Sequence, residues 1–408
     1  LELVGVLKPS VFQVFAEARA ATIDAYELYL RGLDYLRQPA SEESLSIARE
    51  LFQRVLEDDP DYGRAYAGLC EVALQEYVLL RSPELIDKAK ADCLKALDLD
   101  QDSREVRLAL GELYRYIGEY GQSVQAFETL LANRPLARAW VGLGQTRYEL
   151  GSIGAAEAAF RNAIEIEPGN WHHRLEFARV LYRQGRYEDS LQQLQQVVAL
   201  SPDNARAYLL MGAIYDYLGD PDESLRLTLK SLDIEPSRAG FRDLGLLHYY
   251  QGDYAAAALA YKKAVELGPR DHWAWGNLAE MYRIQGDDVA AKAAYERAIL
   301  LAEAVLARNP RDWVTLSRLG VYNVMSGNEK LGLQRVSKAV DEAVHLVDVN
   351  LHDAVVRSQL GQQEQALDAI ERAIAAGAPV RMLANDPRHA ELHSDPRFRS
   401  LVLDKLEE

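Results

Sequence analysis

Two prolines and two glycines constrain this chain more than any other feature. Pro202 and Pro236 lie 34 residues apart, and so do Gly185 and Gly219 inside the segments those prolines close. The segments, WHHRLEFARVLYRQGRYEDSLQQLQQVVALSP (171–202) and ARAYLLMGAIYDYLGDPDESLRLTLKSLDIEP (205–236), are two copies of one unit. A fixed period of this length marks stacked supersecondary units, each too small to bury its own apolar face.

Each unit divides at its glycine into two amphipathic halves. In the second copy Tyr208, Met211, Gly212 and Tyr215 recur at helical spacing, and Leu225, Leu229 and Leu232 do so after the turn. Gly219 suits the left-handed residue that ends a first helix. Pro236 stops the second, since it lacks an N–H and restricts the residue before it. Gly212, Ser224 and Ser231 are small where two helices must approach closely.

The pattern resembles the tetratricopeptide repeat. That family places a large or aromatic residue fourth, Gly or Ala eighth, an aromatic eleventh, Gly fifteenth, small residues twentieth and twenty-seventh, an aromatic twenty-fourth and Pro thirty-second. The stretch from Ala137 supplies Trp140, Gly144, Gly151, Ala156, Phe160, Ala163 and Pro168 at those places, missing only the eleventh-place aromatic, where Arg147 stands. The resemblance covers about nine-tenths of the chain. It implies an all-α, right-handed superhelical solenoid of about ten helix-turn-helix repeats. They start near residues 25, 63, 104, 137, 171, 205, 238, 272, 313 and 347 and fill 25–379.

The irregular parts have readings of their own. Residues 1–24 form an N-terminal linker, in which Pro9 and Ser10 open a short capping helix, Val11–Arg19. The second repeat has seven extra residues between Tyr77 and Ile86, where Ser82 is the expected N-cap and Pro83 the first helical position. Repeat eight also exceeds the period by seven residues, close to two helical turns, so 288–308 is expected to form one longer helix projecting from the stack. Residues 380–408 form a C-terminal capping segment, with Phe398 and Leu401 available to plug the last groove.

Composition narrows the function. The formal net charge of −16 argues against a nucleic-acid partner, which wants a basic face. No apolar run approaches the ~20 residues that span a bilayer, and no signal peptide opens the chain. No membrane insertion is expected, and the expected location is cytoplasmic, or periplasmic if a transmembrane helix precedes Leu1. The start at Leu rather than Met suggests a segment excised from something longer. Cys70 and Cys93 fall at the eighth and twenty-fourth places of one repeat, and are read as two small buried apolar residues rather than a bonded pair.

Catalytic patterns are missing. HAELH (389–393) puts His389 and His393 four apart, but Ala390 stands where a zinc protease needs Glu, and both histidines read as solvated. His172 and His173 read as a surface pair. Gly142 and Gly144 are followed by Arg147 rather than a third glycine, and no phosphate-cradling loop or kinase signature occurs. The chain is expected to be no enzyme, with no cofactor and no metal site.

What remains is a surface. The family resemblance implies that the second, fifth, sixth, ninth, twelfth and thirteenth places of each repeat line a concave groove. Across repeats four to eight these include Arg138, Gln145, Tyr148, Glu149, His172, Glu176, Arg179, Tyr182, Arg183, Arg206, Asp216, Tyr217, Arg242, Asp243, Tyr249, Tyr250, Trp273, Asn277, Glu280 and Arg283. Tyr, Trp and Arg supply binding energy through rigid rings and planar donors. The expected role is a protein-binding scaffold that holds a peptide or protein segment in this groove. The competing account is that each Tyr packs on its neighbour and each Arg pairs with Asp or Glu across it. A chaperone-tail clamp is set aside, because no Lys stands at a fifth place and only Asn277 fits.

A second expectation concerns the parent protein. The two ends, through DAYELYLRGLDYLR (24–37), ARELFQRVLEDDPDYGRAYAGL (48–69) and LANDPRHAELHSDPRFRSLV (383–402), resemble the tetratricopeptide region of bacterial multidomain signalling proteins. In those, a serine/threonine kinase, nucleotidyl cyclase or winged-helix domain lies upstream, and the array is a regulatory or self-association module. Arg outnumbering Lys 35 to 11 fits a GC-rich bacterial genome. On this reading helix 288–308 is the seat of a homodimer.

Overall fold

The computed structural model describes residues 24–38, 40–133 and 135–406. The capping helix expected at Val11–Arg19 lies outside them. Among the described residues all regular structure is helical, in adjacent antiparallel pairs, and the chain divides into two compact units at Pro135 and Leu136.

The first unit holds α1 (residues 24–37) with α2 (Glu42–Asp58), then α3 (Gly63–Leu80) with α4 (Glu84–Leu99), then α5 (Arg104–Tyr116) with α6 (Tyr120–Asn133). The second unit opens with α7 (Ala137–Glu149) and α8 (Ile153–Ile166), α9 (Trp171–Arg183) and α10 (Tyr187–Leu200), and α11 (Ala205–Leu218) and α12 (Pro221–Ile234). It continues with α13 (Arg238–Tyr250) and α14 (Tyr254–Leu267), then α15 (His272–Ile284) and α16 (Asp288–Leu306). The last pairs are α17 (Trp313–Met325) with α18 (Glu329–Ala343) and α19 (Val347–Gln359) with α20 (Gln363–Ala375). A short helix, α21 (Val380–Asn385), and a 3-10 turn, Pro387–Leu392, follow.

One contact explains why each pair closes. The eighth-place glycine of a first helix faces the twenty-fourth-place ring of the second. A Cβ on Gly111 would lie 2.6 Å from the Phe127 ring, on Gly144 2.9 Å from Phe160, and on Gly245 2.7 Å from Tyr261. Contacts that short leave no room for a side chain, so glycine here is what lets the ring fill the space between helices. In the pair α3–α4 the same two places are held by Cys70 and Cys93, with Cα atoms 5.3 Å apart, and they form a disulfide. This corrects the reading of two unbonded cysteines. The repeat geometry brings both Cβ atoms to the closest point of the pair, within the span a disulfide needs.

Several local expectations also change. Pro83, not Ser82, takes the cap position of α4, without a side-chain cap; the Ser82 hydroxyl donates to Glu84 instead. Helix α16 is a single helix of 19 residues. Its added turns do not project: Ala298, Leu301 and Ala302 are buried, and the helix packs with Leu319 and Tyr322 of α17. His173 is buried rather than on the surface, with Nε2 2.8 Å from Glu167. His389 is buried too, in the 3-10 turn, with Nδ1 3.1 Å from the Ser358 hydroxyl, while His393 stacks on Phe398.

The second unit turns back on itself. Ala339, Ala343, Leu346 and Val349 of its late pairs share one apolar cluster with Val141, Phe160, Phe177 and Leu181 of its early ones. Beyond α20, Leu383, Leu392, Phe398 and Val402 pack on Leu367 and Ile370, so the tail is anchored to the last pair.

Candidate protein-binding site

The strip assembled from the sequence lies on the first helices α7, α9, α11, α13 and α15, and much of it is internally satisfied. Gln145 donates to Glu176 at 2.6 Å, and Arg179 reaches the same carboxylate at 3.4 Å. Arg183 pairs with Glu149 at 2.7 Å and sits 4.5 Å over the Tyr148 ring, whose hydroxyl donates to the Arg183 carbonyl. The rings of Tyr182 and Tyr217 are 5.4 Å apart, as are those of Tyr187 and Tyr217. Arg283 forks onto Glu280 at 2.7 and 2.8 Å, and the Tyr295 hydroxyl donates to Glu280 as well. Arg242 pairs with Asp243 and Asp271, and the guanidinium groups of Arg242 and Arg318 lie 4.9 and 3.8 Å from the Trp273 ring. The competing account, neighbours packing and pairing among themselves, therefore describes many of these side chains.

Nor is the strip an open row. Tyr148 is 2% exposed and Tyr249 5% exposed, and Tyr182, Tyr217, Tyr250, Arg138 and Asn277 are half-buried. His172, Arg179, Arg206 and Arg283 keep exposed side chains. The cover comes from later parts of the same unit. The Tyr187 hydroxyl donates to the Gly377 carbonyl at 3.2 Å, and Arg381 donates to the carbonyl of Gly219. Asp348 of α19 acts electrostatically on Tyr148, Tyr182, Arg183, Tyr187 and Tyr217 together. Arg388 and Asp386 do the same to Tyr249 and Tyr250.

Burial sets the charge states along this seam. It pushes the Tyr148 hydroxyl up to about 12, against the pull of Arg183. It raises Asp216 to about 6, with Arg381 opposing and Asp243 adding to the shift. Burial also works to raise Asp386, but the Arg388 guanidinium, bonded to both its oxygens, overrides it and holds the carboxyl at about 2. A cavity of about 70 Å³ remains beside Tyr249, Asn277, Glu280, Arg318, His352 and Arg388, with room for water-sized groups. No group of three or more His, Cys, Asp or Glu placed to hold a metal ion occurs among the described residues.

Models of one family, described as the tetratricopeptide repeat, match residues 108–170, 147–214, 205–238 and 242–304, over the helix pairs from α5 to α16. Over these residues the chain is similar to the tetratricopeptide repeat. Curated relatives include the human Protein O-mannosyl-transferase TMTC1, 26% identical over 43% of this chain and 20% of its own length. Others are the BBSome complex member BBS4 of Bos taurus, at 22% over 60% and 46%, and Hsp70-Hsp90 organizing protein 2 of Arabidopsis thaliana, at 21% over 45% and 33%. The chain thus spans between a fifth and about half the length of these relatives. Among solved structures, a tetratricopeptide repeat protein from Parabacteroides merdae overlaps 63% of this chain and 98% of its own, with 20% identity and a TM-score of 0.47. The Cut9-Hcn1 hetero-tetramer overlaps 93% and 76%, with 13% identity and a TM-score of 0.45.

The residues that the sequence reading missed fall into two groups. Arg318 and Asp348 stand at the sixth and second places of the repeats that begin at Trp313 and Val347. The rule applied to repeats four to eight would have reached them had it been carried two repeats further. Gly377, Arg381, Asp386 and Arg388 follow the last repeat and have no period to mark them. No helix among the described residues is long and apolar enough to cross a membrane.

Proposed function

We propose that this chain is a non-enzymatic scaffold that holds a peptide or protein segment along the first helices of its tetratricopeptide repeats. Proteins built from this repeat generally mediate protein–protein interaction, and two of the relatives are named as a complex member and an organizing protein. The observation that supports this reading most is that these helices already carry polypeptide outside the repeats. Gly377 lies against Gln184 and Gly185 at the end of α9 and accepts from Tyr187 at the start of α10, and Arg381 donates to the Gly219 carbonyl at the end of α11. A wall that takes its own chain through a hydroxyl and a helix-end carbonyl has the chemistry to take another. The exposed His172, Arg179 and Arg206 offer cationic or donor groups at its rim, favouring a guest with carboxylates there.

A peptide-display selection on the full chain tests this reading. Binders should weaken at least tenfold on Arg179→Ala with Arg206→Ala, and should be indifferent to Leu259→Ala on the outer helix α14. Binders that depend on Leu259 and ignore both arginines would place the site elsewhere.

A second reading is favoured by α16. It exposes Val289 (83%) and Leu300 (57%), large apolar side chains that a partner helix would cover. On that reading the chain is a regulatory or self-association module of a larger bacterial signalling protein. Sedimentation would then show a dimer that Val289→Glu with Leu300→Glu abolishes. The Cys70–Cys93 bond belongs to the chemistry of oxidising compartments, which favours a periplasmic over a cytoplasmic setting for either reading.

A further inference from the structure

After α20 the chain crosses the C-terminal ends of three first helices in twelve residues. Gly377 meets the end of α9: a Cβ placed on it would come within 3.0 Å of the Gln184 carbonyl oxygen and of the Gly185 Cα. The converse holds, since a Cβ on Gly185 would lie 2.7 Å from the Gly377 oxygen. Two glycine backbones with positive φ, +105 and +73, touch where neither tolerates a side chain. Four residues on, Arg381 donates to the carbonyl of Gly219, the C-cap of α11. Arg388 then lies in the field of Tyr249 and Tyr250 at the end of α13.

The middle contact suits a guanidinium for a physical reason. The end of α11 carries the negative pole of its helix, and Asp216 stands in its last turn. Asp243 of α13 adds a second carboxylate to the same field, although it is paired with Arg242. In a chain of net charge −16 this is a cation-accepting seat. Arg381 itself is exposed, so its bond contributes little to the core and can be exchanged.

The fit is incomplete. Both amide atoms of Gln184, beside Gly377, are buried without a hydrogen-bond partner, and so is the hydroxyl of Tyr249, beside Arg388. Buried polar atoms left unmatched disfavour the state that holds them. A segment that supplied partners to Gln184 and Tyr249 would bind this track better than the residues now on it.

We propose that residues 377–388, which stay held to the last pair through Leu383, are a built-in guest on the ends of α9, α11 and α13, lifted off those ends by a partner segment that presents arginine at the Gly219 carbonyl. This rests on the scaffold reading above and adds to it the chemistry of the guest and the competition for its seat.

The test uses the full chain, with Arg381→Ala and Gly377→Ala made separately and their folding checked by circular dichroism. Hydrogen exchange over 377–388 follows the built-in guest. A fluorescent peptide with the sequence of residues 374–388 is the probe for a guest in trans, and its Arg381→Ala form is the control. Either substitution in the chain should raise exchange over 377–388 at least tenfold and tighten binding of the probe at least tenfold relative to the unsubstituted chain. The control peptide should bind at least tenfold more weakly than the probe. Unchanged exchange in both variants overturns the proposal, as does raised exchange without tighter binding, or equal binding of the two peptides. If those failures occur while display binders still depend on Arg179 and Arg206, the scaffold reading stands and only the arginine guest is lost.

Discussion

At the scale of single residues, one half-buried acid and one buried base pull the pH dependence in opposite directions. Asp216 titrates near 6 in the folded chain, above its unfolded value, because burial disfavours its charge. The folded state therefore holds that proton more tightly, and stability is lost as pH rises from about 4 to 6. Asp216→Asn should raise the stability of the second unit at pH 7.5 by about 1–2 kcal/mol, a discounted conversion of the shift, and flatten its profile over that window. His389 behaves in reverse. Burial lowers it to about 4, with Asp386 opposing and Arg388 and His393 adding to the fall. Its contribution is fully present above about 6.5 and is lost as pH falls towards 4. Urea titrations from pH 7 to 4 should show that loss, and His389→Gln should remove part of it.

Elements carry a different kind of prediction. The α3–α4 pair is held by a disulfide that closes 23 residues, where its neighbours have a glycine under a ring. On the chain-entropy account a loop of that size is worth about 3 kcal/mol. Reduction, or Cys70→Ser with Cys93→Ser, should lower the denaturant midpoint of the first unit and leave that of the second unchanged. The end of the array depends instead on Phe398, fully buried against α20. Phe398→Ala should cost about 3–5 kcal/mol in the second unit, read by chemical denaturation. How far such elements were legible is a matter of period. Glycine, ring and proline recur every 34 residues, so the helix pairs and their contacts could be read from Gly144 and Phe160 alone. The eighth and twenty-fourth places also brought Cys70 and Cys93 together on paper, but spacing says which residues meet and not whether they bond. Nothing periodic marks Arg381 or Arg388, and their contacts with Gly219 and Tyr249 depend on how the unit curls.

For the molecule as a whole, the strip of tyrosines and arginines shows where local reading stops. Place in the repeat put Tyr148, Tyr182 and Tyr249 on first helices, and they are there. Whether such a row faces solvent depends on residues 200 positions away, which no window of 34 contains. Asp348 and the Gly377 carbonyl meet the row only because the second unit folds its end onto its beginning. In an open array each repeat answers to its neighbours, and stability is nearly a sum over adjacent pairs. Closure adds a term that no adjacent pair contains. The second unit should therefore melt in one calorimetric transition, with van't Hoff and calorimetric enthalpies equal. Ending the chain at Ala375 should broaden that transition into sequential fraying.

The bond from Tyr187 to Gly377 spans 190 residues, and that from Arg381 to Gly219 spans 162. On the ribosome, α9 and α11 emerge many seconds before the residues that will lie across them, at ordinary rates of synthesis. For that interval the tyrosine row is bare, and whatever nascent-chain binder is at hand meets it first. A protein that finishes this surface only once residues 377–381 are made has a window in its birth when it is most receptive, and most exposed to the wrong company.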